Sequence, residues 1–97
     1  MPTYISLINW TDKGVASYKD TLDRAEAAQA VAAKFGGSLD ATYWTIGPYD
    51  VVGISTMPDD ESATAFALAL SSQGSVRTTT MRAFSANDFR EIIDRIG

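Results

Sequence analysis

Ninety-seven residues suffice for one domain, 1–97, and not for two, because each domain needs its own core. With 45% hydrophobic and 21% charged residues and a net charge of −4, the chain has an ordinary globular balance, without a disorder-like stretch or a basic run suited to nucleic acid. It has neither cysteine nor histidine, which excludes disulfides, thiolate nucleophiles, Cys/His metal sites and imidazole acid–base chemistry.

Thr3 to Trp10, rich in β-branched and aromatic residues, predicts a first strand that begins almost at once, with no basic leader before it. A cytoplasmic location follows as the expectation. Thr11 or Asp12 can cap a short helical turn holding Val15 and Tyr18, and Asp20 or Thr21 can cap a main helix running to Phe35. Leu22, Ala25, Ala28 or Gln29, Ala32 and Phe35 form its apolar face, and Gly36-Gly37 stops it. Its alanine-rich stretch, Ala25 to Phe35, falls far short of the roughly 20 apolar residues of a membrane span.

Ser38 to Ile46 and Val51 to Thr56 predict a hairpin turning through Gly47-Pro48-Tyr49-Asp50. Asp59-Asp60-Glu61 opens a second helix with a capping aspartate and acidic residues at the positive end of its dipole. These three carboxylates lack the loop spacing of a calcium motif and read as a solvated cap. Ala63, Phe66, Ala67 and Leu70 make the buried face of that helix, and Gln73-Gly74 ends it. Ser75 to Phe84 is a fourth strand. Ser85 with Asp88 forms a capping box for a last helix striped by Phe89, Ile92, Ile93 and Ile96.

The order β-α-β-β-α-β-α predicts an α+β, ferredoxin-like split-βαβ fold: an antiparallel four-stranded sheet with two helices on one face, plus a C-terminal helix. The other face needs cover, from the last helix, a second subunit or both. The protein is therefore expected to self-associate as a homodimer or higher homo-oligomer.

Several pieces in this order resemble the GYD-domain family. They are Trp10-Thr11-Asp12-Lys13-Gly14-Val15, Arg24, Phe35-Gly36-Gly37, Tyr43 to Asp50, Pro58 to Glu61, Gly74 to Thr80 and Arg82-Ala83-Phe84. Pro48 separates Gly47 from Tyr49, as the family's variable residue between Gly and Tyr-Asp does. The resemblance implies a subunit of the dimeric α+β barrel type, in which two sheets face each other. It implies no particular activity: related barrels include cofactor-free oxygenases, isomerases, haem enzymes and binding domains. The haem branches use a ligating side chain, usually histidine, which this chain lacks.

Tyr49 and Asp50 have two readings. Asp50 can fix the turn by accepting backbone hydrogen bonds while Tyr49 packs over the sheet edge, or Asp50 can act as a general base beside a Tyr49 donor. On the fourth strand Arg77, Thr79, Met81 and Ala83 face one way, and Val76, Thr78, Thr80, Arg82 and Phe84 the other. An arginine opposite the helices can clamp a carboxylate or phosphate, or pair with Asp50, Asp40 or a partner subunit. Tyr4, Ser6, Tyr43, Trp44, Thr45, Ser55 and Thr78 can line a cavity between facing sheets, or simply fill a dimer core. The ligand-binding candidates are therefore Tyr43, Tyr49, Asp50 and Arg77, with Asp50 as the catalytic candidate and no metal or cofactor expected. Three functions stay open: a module binding a small metabolite between facing sheets, a cofactor-free isomerase or monooxygenase, and a structural assembly unit.

Overall fold

Short-range signals set the element boundaries in the computed structural model, which describes residues 1–97. The Thr11 hydroxyl accepts the Gly14 amide and the Asp59 carboxylate accepts the Ser62 amide at 2.7 Å, so each starts a helix as a side-chain cap does. Ser85 and Asp88 form the reciprocal capping box. The elements run β1 (Thr3–Trp10), α1 (Asp12–Ala16), a 3-10 turn (Tyr18–Asp20), α2 (Thr21–Lys34), β2 (Ser38–Trp44) and β3 (Val51–Thr56). Then come α3 (Asp60–Ser72), β4 (Val76–Ala83) and α4 (Ala86–Asp94). No helix is long and apolar enough to cross a membrane.

The four strands pair antiparallel in the order β2-β3-β1-β4, the split-βαβ arrangement. α2 and α3 cover one face, where Tyr4, Ala32, Met57, Ala63 and Phe66 form the core. Gly14 is obligatory at the β1–α1 corner, because a Cβ there would lie 2.0 Å from the Ser75 carbonyl oxygen. A β-bulge between Leu39 and Ala41 bends β2. Asp40, at the bulge, accepts hydroxyls from Ser38 and Thr56, both at 2.6 Å, which hold its carboxyl below the usual carboxylate value.

Three expectations need correction. β2 stops at Trp44, not Ile46: Thr45 turns back, donating its amide to the Asp50 carbonyl at 2.9 Å, and Ile46 is fully exposed. Leu22 is exposed, because it sits about a quarter-turn round the helix from Ala32, off the stripe that meets the sheet. The last helix does not cover the sheet: none of its residues is buried, and Phe89, Ile93 and Ile96 are half exposed or more. The chain is accordingly 52 Å long and only 17 Å thick.

Side-chain alternation gives the open face its character. Register places Tyr43, Val52, Leu7 and Thr79 in one row across the four strands, and Ala41, Ile54, Ile5 and Met81 in the next. Ile5, Leu7, Val52 and Ile54 of the two central strands thus point away from the helices. The opposite sides of the strands carry Tyr4, Ile8 and Val51 together with the smaller Ser6, Gly53, Ser55, Thr78 and Thr80.

Candidate functional site

The four sequence candidates do not converge within one chain. Tyr43 and Arg77 both lie on the open face, but on the two outer strands, three strand spacings of about 4.8 Å apart and two residues out of register. Arg77 has no carboxylate within ion-pair distance in this chain, where the one ion pair joins Arg82 to Asp60 at 3.5 Å. The pairing of Arg77 with Asp50 or Asp40 is therefore not formed: Asp40 is held at the bulge, and Asp50 is engaged elsewhere.

Asp50 ties the hairpin turn to β1. Its carboxylate accepts the Trp10 amide at 2.9 Å, and its own amide donates to the Ile8 carbonyl at 2.9 Å. Gly47, at φ 122°, and Pro48 make the turn that delivers it there. Tyr49 is half-buried, and its carbonyl accepts the Thr45 hydroxyl at 2.6 Å.

Tyr4, Ser6, Trp44, Ser55 and Thr78, expected between facing sheets, instead face the helices. The pairs Tyr4 with Ser55, Tyr4 with Arg82 and Ile8 with Thr78 fix that orientation. Trp44 agrees with it, donating its indole N–H to the Thr21 hydroxyl on α2 at 3.0 Å.

Two concave sites result on the helix side. Between α3 and β4, Tyr4, Asp60, Thr64, Thr78, Thr80 and Arg82 line a polar groove. Buried Tyr4 donates its hydroxyl to Asp60 at 2.5 Å. Burial first, then the Asp60 hydrogen bond and charge, push its pKa up to about 12, so the phenol stays a donor at neutral pH. Arg82 lies over the Phe84 ring at 5.3 Å, beside the same carboxylate. The groove offers hydroxyls and a guanidinium that can hold a polar group. Sequence reasoning missed it because Tyr4 and Asp60 are 56 residues apart; strand register between β1 and β4 was the signal that could have found it.

The second site is an apolar cavity of about 90 Å³ between α2, α3 and the sheet. Ser6, Gly53 and Ser55 on the strands and Ala25 and Ala28 on α2 border it. Arg24 stands at its Trp10 end, donating to the Ser17 and Gly14 carbonyls at 3.1 and 3.3 Å. No group of three or more His, Cys, Asp or Glu side chains stands close enough to hold a metal ion.

The GYD-domain profile matches residues 4–93, through every strand and both covering helices. This chain belongs to the GYD-domain family. A Thermus thermophilus relative, described as a glutamine synthetase and cystathionine beta-lyase binding protein, is 35% identical over 89 residues, 91% of this chain and 94% of the relative. A crystal structure of a protein from Thermus thermophilus aligns with a TM-score of 0.58 at 26% identity, covering 89% of this chain and 96% of that one. The leucine response regulatory protein of Mycobacterium tuberculosis aligns with a TM-score of 0.66 at 13% identity, over 88% of this chain and 51% of that chain. An ACT domain protein from Streptococcus pneumoniae aligns at 0.50 and 12% identity, over 86% and 90%. The last two share the α+β fold with this GYD domain, and at that identity only the fold.

Proposed function

We propose that this GYD-domain protein is a cytoplasmic homodimeric binding module, two copies meeting through the open faces of their sheets and presenting a composite surface to a protein partner. The observation that carries the reading is the apolar row on the open face of the sheet. Ile5, Leu7, Val52 and Ile54, each partly exposed, and exposed Met81 lie side by side on the face opposite α2 and α3. Exposed contiguous apolar surface of this kind marks an association site. The stripe on α4 adds apolar surface at its edge.

The class of partner follows from the relative, whose description names two metabolic enzymes that it binds. Surface plasmon resonance with immobilised glutamine synthetase and cystathionine beta-lyase from the same source organism tests it. Saturable binding of the wild-type protein to either enzyme is the expected result; no response to both would sink the protein-binding reading.

A second reading is favoured by Arg77, an open-face cation without an acidic partner in its own chain. In a facing-sheet dimer Arg77 and Tyr43 from both copies would line the interior, with Tyr49 and Asp50 near its rim. A small anionic or aromatic metabolite would be held there. Loss of a retained ligand from the Arg77→Gln dimer in native mass spectrometry is the expected sign, and an apo wild-type dimer would count against it.

A further inference from the structure

We propose that the cavity between α2, α3 and the sheet is a binding site for a small carboxylic acid with an apolar body, a single ring or a short branched chain. It is independent of the dimer reading, since the cavity lies on the side of the sheet opposite the open face.

The first observation is a polar side chain set into an otherwise apolar wall. Ser55 is only 3% exposed and lines the cavity, on the same side of its strand as Gly53 and Val51. The second is space held open by small residues. Gly53 has no conformational need to be glycine: a Cβ there would meet only Leu39 Cδ1 at 3.5 Å and Ile8 Cδ1 at 4.0 Å, ordinary contacts. With Ser6 beside it and Ala25 and Ala28 opposite, the strands and α2 leave a void where larger residues would close the core.

The third is a cation without a counter-ion. Arg24 is partly buried at the Trp10 end, and its partners are neutral oxygens of Gly14 and Ser17. A guanidinium at the end of an apolar cavity favours a carboxylate, which it can bind with two parallel N–H donors. Size sets the upper limit on the body. An engineered cavity of about 150 Å³ holds benzene, so about 90 Å³ with an open mouth takes at most one ring, its charged group at the rim.

Benzoate and its neutral isostere benzamide probe the site, with binding followed by amide chemical shifts on the wild-type protein. The expected result is saturable benzoate binding with a Kd of about 1 mM or tighter, with the largest shifts at Gly53, Ser55 and Ala28. Benzamide should bind about fivefold more weakly for lack of the Arg24 charge contact. Gly53→Ala, which fits without a clash, should keep the folded spectrum and weaken benzoate binding about tenfold or more by filling the cavity. Any of four results overturns the proposal: no saturable shift with benzoate, shifts centred on Leu7 and Ile54 instead, equal affinity for benzamide, or unchanged affinity in Gly53→Ala.

Discussion

The two faces of one sheet divide the work of this molecule in an unusual way. The face that the helices cover mixes Ile8 and Val51 with Ser6, Gly53 and Ser55 on its central strands and carries Thr78 and Thr80 on its edge strand, and keeps a cavity and a polar groove. The face left open carries Ile5, Leu7, Val52 and Ile54, side chains that a lone domain would be expected to bury. The helices complete a small core around Met57 and Phe66, while Ile5, Leu7, Val52 and Ile54 lie outside it, on the face that the proposed dimer would bury.

Breaking the helix side should cost most. Phe66→Ala, at a buried position in the core, should lower unfolding free energy by about 3–5 kcal/mol in urea titrations, whereas Leu7→Ala should leave the isolated subunit within about 1 kcal/mol of wild type. Breaking the open side should act on association instead. In the proposed facing-sheet dimer, Leu7→Lys would place a charge in the interface and should raise the dissociation constant about 100-fold, read from the concentration dependence of light scattering.

Smaller effects sharpen the roles of polar groups. Asp50→Ala removes the acceptor of the Trp10 amide and should cost about 1–2 kcal/mol of thermal stability, with Asp50→Asn, which keeps an acceptor, nearer wild type. Tyr4→Phe should cost about 1 kcal/mol at neutral pH by deleting the hydrogen bond to Asp60. The folded protein holds the Tyr4 proton more tightly than the unfolded chain does. That contribution is complete below pH 10.0 and is lost as pH rises toward about 12, so Tyr4→Phe should flatten the alkaline fall in stability over that window.

Local chemistry made most of the fold legible in the sequence. Thr11, Asp59 and the Ser85–Asp88 box are caps within three residues of their partners, and the Gly47-Pro48 turn lies within one hairpin. The family resemblance was readable for the same reason, from short pieces in a fixed order, and the profile match bears it out. The helix-side sites were not legible. They need Gly53, Ser55, Arg24 and Phe66, or Tyr4, Asp60 and Arg82, brought together from separate elements by strand register. Alternation separated Arg77 from Arg82 but could not say which face the helices would take. The β2 bulge at Asp40 then shifted one strand's alternation at a point where no proline or glycine announced it.

Sedimentation equilibrium of the wild-type protein over a wide concentration range tests the proposed facing-sheet dimer most directly. The facing-sheet account predicts a species of twice the 10.4 kDa chain mass at micromolar concentration, dissociated by Leu7→Lys. A monomer at every concentration would contradict it.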